Sequence, residues 1–181
     1  MSFLNSLPEN PVLMDVFRRF PDTSRPLLDY HEVLMRGPAP FSVAERELIA
    51  AYVSGVNSCD YCHGVHTVTA EVCGIEQGAI PAALADLDAA PVGDTLRPVL
   101  RYVGKLTRTP SALTPEDAEA VRAAGWDDSA LHYAVMVCAL FNFMNRMVEG
   151  HGISAGPDYF AESGKRLKET GYAGLNRLLD D

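Results

Sequence analysis

Apolar residues recur at helical spacing along nearly the whole chain, and no alternating pattern of the kind a half-buried strand needs persists. Val12, Val16 and Phe20 mark a short first helix that Pro21 ends. Ser24 is placed to cap a second helix reaching about Met35, stopped by the Gly37-Pro38 pair. Ser42 heads SVAERELIAAYVSGV and is followed three residues later by Glu45, the spacing of a capping box. Leu48, Ile49, Tyr52, Val53 and Val56 give that helix its buried stripe. Asn57 and Ser58 break and restart the chain, and CDYCHGVHTVTAEVC forms the next helix, with Gly74 as its stop.

The second half continues in the same period. Ile75 to about Leu87 reads as one or two short helices, and Thr95 to Thr107 as another with Pro98 in its first turn. After a linker from Ser111, Thr114-Pro115-Glu116-Asp117 combines a cap, a first-position proline and two acids facing the helix dipole. That helix ends at Gly125. Asp127 or Asp128 then caps ALHYAVMVCALFNFMNRMVEG, which is apolar on nearly all sides and is expected to be central. A loop from Gly150 to Gly156 precedes a final helix from Pro157. The pattern predicts one all-α domain over residues 1–181.

Composition narrows the function classes. The chain has 181 residues, 48% apolar and 22% charged, which suits a single ordered core. A formal net charge of −9 with no basic stripe argues against nucleic acid and anionic membrane surfaces as partners. No run is read as the roughly 20 apolar residues of a membrane span, and MSFLNSLPENPVL lacks the features of a secretory leader. A cytoplasmic location is therefore expected. Four cysteines, at 59, 62, 73 and 138, are too few for a secreted disulfide scaffold. In a reducing compartment a close pair leans towards catalysis or metal.

That pair lies in CDYCHGVH, Cys59 to His66. Read from the residues alone it fits a redox dithiol, the CxxCH string of covalent haem attachment, part of a zinc site, or a buried helix start. Both thiols are expected in the first turn of a helix, where free amide hydrogens and the dipole favour a thiolate. His66 stands four residues after Cys62, on the same helix face, placed to hold or return a proton. His63 points elsewhere, towards a surface or interface. Glu47 lies on the preceding helix in the tract Glu45-Arg46-Glu47, where charge is ordinarily solvated.

Glu47, eleven residues, Cys59-Asp60-Tyr61-Cys62, three residues and His66 together make an E-x11-C-x2-C-x3-H pattern. With its flanks, the pattern resembles the alkyl hydroperoxidase D-like group of the carboxymuconolactone decarboxylase superfamily. LFNFMNRMVEGHG resembles its peroxidase-related branch and extends the likeness over about Ser42 to Gly152. The resemblance implies an all-helical bundle assembled as a trimer or hexamer, reducing hydroperoxides in antioxidant defence without metal, haem or other cofactor. It makes Cys62 the peroxidatic thiol, Cys59 the resolving thiol, and His66 and Glu47 the proton relay. A lipoyl- or thioredoxin-type partner would return electrons. One departure is Tyr61, where some members carry a histidine; tyrosine donates a hydrogen bond but does not buffer protons near neutrality.

The other readings predict different things. A zinc site would recruit Cys59, Cys62 and His66 with Cys73 or His132. General disulfide exchange, a thiol-free decarboxylase-like enzyme and a structural helical oligomer complete the alternatives. Cys73 and Cys138 read as small buried hydrophobes, and His132 as a satisfied histidine. Met136, Met144 and Met147 read as fillers, and Asn142, Asn145 and Arg146 as a fold-specifying network or subunit contact.

Overall fold

The computed structural model describes residues 2–179, and among them every regular element is helical. The α-helices are α1 (Leu13–Arg19), α2 (Pro21–Arg36), α3 (Val43–Val56), α4 (Asp60–Cys73), α5 (Ala79–Ala85), α6 (Leu96–Arg108), α7 (Pro115–Ala123), α8 (Asp128–Gly150) and α9 (Pro157–Arg177). A 3₁₀ turn, Pro110–Ala112, precedes α7.

The local signals explain most of the boundaries. At α3 the Ser42 hydroxyl accepts from the Glu45 amide, and the Glu45 carboxylate accepts from the Ser42 amide at 2.7 Å. Asp127 caps α8 by accepting from the Ala130 amide at 2.8 Å. Asp117 accepts from the Thr114 amide at the head of α7. Ser24 departs from its expected role: it lies inside α2, buried, its hydroxyl donating to the Phe20 carbonyl at 2.8 Å. Pro21 takes the first helical position instead, where its missing N–H costs nothing.

The centre of the bundle is α3 rather than α8. Its residues from Arg46 to Ser54 are all buried, and it packs against α2, α4, α5, α6 and α8. Ala50 and Ala51 let the neighbours approach closely. By contrast α8 buries one face through Ala130, Ala134, Val137, Phe141 and Val148, and leaves Phe143 53% exposed. Contrary to the sequence reading, α8 is long and apolar enough to cross a membrane by length and composition. Its buried face belongs to the core of this bundle.

Two further contacts position the site. Asn145 and Asn142, on α8, both accept from the Asn57 side-chain amide, at 2.8 and 3.1 Å, and Asn145 donates to Ser54 at 2.9 Å. This network joins α3 to α8, as the fold-specifying reading of the asparagines expects. It anchors the turn in which Ser58 holds a left-handed φ of 56° just before Cys59.

The second contact seats α9 on α4 and α2. A Cβ on Gly164 would lie 2.6 Å from the Val68 side chain, so only glycine permits this approach. Further along, α9 breaks at Gly171 (φ 62°, ψ −166°). The Glu32 carboxylate from α2 accepts from the freed amides of Tyr172 and Ala173 at 2.7 and 2.9 Å. A Cβ at Gly171 would combine an unfavourable φ with a 2.7 Å approach to Glu32. Gly171→Ala is therefore expected to cost about 1–3 kcal/mol, read as a lower urea midpoint at unchanged m-value.

Candidate active site

The helical hairpin α3–α4 brings the E-x11-C-x2-C-x3-H residues together. Cys59 is the N-cap of α4, with extended backbone (φ −91°, ψ 92°), and the His63 amide donates to its carbonyl at 2.9 Å. It therefore precedes the first turn instead of lying in it. Cys62 falls within that turn, at the positive end of the dipole. Both thiols are free and buried, 0% and 3% exposed. The contact with Cys62, then burial, push the Cys59 thiol well above the ordinary range, and the Glu149 carboxylate adds to it. Cys59 is thus held as a protonated donor beside Cys62.

One turn after Cys62, His66 faces Glu47. Its Nδ1 lies 2.6 Å from Glu47 Oε2. Glu47 is fully buried, so the bland reading of it as a solvated helix-start charge is overturned. Its other oxygen accepts from Arg36 Nη1 at 2.6 Å and from the Tyr172 hydroxyl at 3.3 Å. Burial alone would raise the Glu47 carboxyl; His66 and Arg36 outweigh it and hold the group below the usual carboxylate range. An ionised Glu47 accepts only, so Nδ1 of His66 carries a proton and Nε2 remains free for chemistry. The tract around Glu47 is structural on both sides. Arg46, also buried, donates to the carbonyls of Leu34 and Gly37, each at 2.8 Å, and fixes the turn from α2 to α3.

Four contributors escaped the sequence reading because they come from distant helices. Arg36 (α2) and Tyr172 (α9) clasp Glu47, and the guanidinium also stacks 4.9 Å from the Tyr172 ring centroid. His31 (α2) packs 5.0 Å from Tyr172 and hydrogen-bonds the Leu27 carbonyl through Nδ1 at 2.8 Å. Arg166 (α9) is the fourth. The ordinary signal for such residues is charge or imidazole on an otherwise apolar helix face, and α2 offers it weakly at His31.

Cys62, His66, His31, Tyr61 and Tyr172 line one cavity of about 60 Å³ that opens to solvent, whose other walls are mainly apolar side chains of α1, α2, α4 and α9. Tyr61 is a strut in this wall. Its hydroxyl donates to Tyr159 at 2.7 Å and accepts from the Leu13 amide at 3.3 Å, and burial pushes its own ionisation far up. His63 is not a surface residue: half-buried, it binds the Ala51 carbonyl at 3.0 Å and ties α4 to α3. Among the described residues no group of three or more His, Cys, Asp and Glu side chains is arranged to hold a metal ion.

Burial lowers His31 from 6.5 to about 4, despite the favourable Leu27 bond. The unfolded chain therefore binds the proton first. Stability is full above about 6.5, falls as the pH drops towards about 4, and is flat below that for this group. The loss amounts to roughly 3 kcal/mol. Urea unfolding of wild type and His31→Phe at pH 7 and pH 4.5 should show a markedly shallower acid loss in the variant.

Residues 21–105 match the model of the carboxymuconolactone decarboxylase family. The matched segment spans a little under half of the chain. It contains Glu47, Cys59, Cys62 and His66, and also Arg36 and His31. Tyr172 and Arg166 lie beyond it. The fold is similar to two solved structures. One is an uncharacterized peroxidase-related protein from Silicibacter sp. TM1040, at 23% identity and a TM-score of 0.75, covering 82% of this chain and 78% of that one. The other is an alkylhydroperoxidase AhpD core, an uncharacterized peroxidase-related protein from Ralstonia eutropha JMP134. It is 24% identical with a TM-score of 0.75, covering 83% of this chain and 78% of that one. These likenesses establish an AhpD-like helical fold. No curated protein matches the sequence.

Proposed function

We propose that the protein is a thiol peroxidase that reduces hydroperoxides through Cys62 and Cys59. The observation that carries the reading is that Cys62 and His66 line one cavity while His66 Nδ1 is tied at 2.6 Å to a buried carboxylate. The Cys62 thiolate attacks one oxygen of the O–O bond. A sulfur–oxygen bond forms, the O–O bond breaks, and the alkoxide leaves as the alcohol, taking the proton that His66 Nε2 removed from the Cys62 thiol to form the thiolate. Cys62 is then a sulfenic acid. The Cys59 thiol attacks its sulfur, a disulfide forms, and the hydroxyl leaves with the Cys59 proton as water. An external dithiol supplies two electrons and two protons and restores both thiols.

Glu47 fixes the imidazole tautomer and balances the imidazolium form as the proton moves. Arg36 and Tyr172 hold Glu47 in turn. The burial of both sulfurs favours a small peroxide over a protein disulfide as the oxidant. It also favours a slender lipoyl arm over a thioredoxin surface as the reductant. Assembly into a trimer or hexamer belongs to the same proposal, supported by the exposed Phe20, Val33 and Phe143 side chains.

The test is steady-state consumption of an organic hydroperoxide with dihydrolipoamide, run beside thiol counting and peptide mapping. One equivalent of peroxide should remove two thiols per chain and join Cys59 to Cys62. Retention of all four free thiols during turnover would sink the dithiol mechanism.

A further inference from the structure

The cavity over Cys62 carries a cation that the thiol chemistry does not use. Arg166, on α9, contributes to the same wall as Cys62 and His66. Its Nη2 donates to the Ser163 hydroxyl at 3.2 Å, which fixes the plane of the guanidinium. Its Nε is buried and has no hydrogen-bond partner. Among the described residues no carboxylate lies within ion-pair distance of it. The contrast with Arg36 is instructive: in the same region, that guanidinium is fully engaged by Glu47 and by the Met35 and Leu167 carbonyls.

A buried donor on a cationic group costs stability unless an acceptor reaches it. The side of a guanidinium that presents Nε and one Nη matches the two oxygens of a carboxylate. Away from Arg166, Leu13, Phe17, Leu28, Val65 and Leu175 give the cavity a wall suited to a hydrocarbon. A simple alkyl hydroperoxide has no charge for Arg166 to meet. A ligand that fills both environments has an apolar body and a carboxylate.

We propose that Arg166 anchors the carboxylate of an amphipathic organic acid whose apolar body occupies the cavity, so that the hydroperoxides taken at Cys62 are hydroperoxy acids. The identity of the reacting group rests on the peroxidase reading; the anion site does not. The experiment separates the two by using probes that cannot react. Binding of octanoate and of phenylacetate to the reduced full chain is measured by calorimetry, each beside its neutral alcohol. The comparison is repeated with Arg166→Met and Arg166→Lys, after thermal melts confirm that at least one variant is folded.

Wild type should prefer at least one acid over its alcohol, and that preference should collapse by about tenfold or more in Arg166→Met. Arg166→Lys, which keeps the charge but loses the fork, should fall between. In turnover, the ratio of kcat/KM for a hydroperoxy fatty acid to that for cumene hydroperoxide should drop in parallel, through KM. No acid preference in wild type, or a preference unchanged by both substitutions, overturns the proposal. Acid binding through Arg166 with no peroxide consumption would keep the anion site and remove the peroxidase reading alone.

Discussion

Replacing Glu47 with alanine is expected to lower stability by about 3–5 kcal/mol, because it strips the partner from a cation that stays buried. The Arg36 side chain is 12% exposed and the Glu47 side chain 0%. Alanine would leave the guanidinium without its counter-charge, free the His66 ring, and orphan the Tyr172 hydroxyl. Denaturant unfolding at neutral pH measures the loss, and a change under about 1 kcal/mol would mean that water already solvates this group. Glu47→Gln separates structure from chemistry. The amide keeps the size and can still accept from Arg36, so stability should fall less. With its oxygen on Arg36 the amide turns an N–H towards His66, so the imidazole loses its anionic partner. Peroxide turnover should then drop by about 10²–10⁴, the usual weight of a positioned acid–base pair. The acid limb of stability follows the same group. A carboxyl held below its ordinary value contributes fully above that value and loses its contribution as pH falls through the lower, folded one.

The second large effect separates the two sulfurs. Cys62→Ser should abolish peroxide consumption, since a serine hydroxyl is not measurably ionised at neutral pH and is a poor nucleophile towards oxygen. Cys59→Ser should behave differently. With no resolving thiol, Cys62 should stop as a sulfenic acid after one turnover and be captured by dimedone, visible as a single mass increment. Both substitutions nearly conserve volume but bury a hydroxyl, so thermal midpoints should fall by only a modest amount, and activity is the sensitive readout. Full activity in Cys62→Ser, or dimedone adducts on Cys59 in wild type, would reverse the assignment of roles. Position on the helix agrees with Cys62 attacking first: Cys62 lies in the first turn of α4, where the dipole favours a thiolate, and Cys59 is the cap before it.

Sequence spacing carried the centre of the site for a geometric reason. Cys62 and His66 stand one turn apart on α4, so helical period brings them together, whereas Glu47 on α3 entered through the family resemblance, its charged tract reading as solvated by spacing alone. The capping box at Ser42 and the cap at Asp127 were legible for the same reason, being interactions within four residues. What the pattern could not supply was the identity of the neighbours. It marks a face as buried without naming the helix that covers it. Arg36, His31, Tyr172 and Arg166 thus remained invisible, although each reaches the cavity or its carboxylate. Periodicity also misplaced the centre of the bundle. The apolar count of α8 exceeded that of α3, yet α3 is buried without interruption from Arg46 to Ser54, while α8 is buried along one face only. Ser24 misled because a hydroxyl within a helix and a hydroxyl at its head look alike until the preceding proline is weighed.

The break in α9 has a bearing on synthesis. Glu47 and the tyrosine that clasps it are 125 positions apart, and the bend that aims this ring is held by an acid from α2. A growing chain on the ribosome makes Cys59 and Cys62 well before Tyr172, which closes one wall of the cavity at Cys62. Until then the imidazole and the carboxylate lack their final restraint. The environment of the cysteine pair is thus complete only after translation has passed α9.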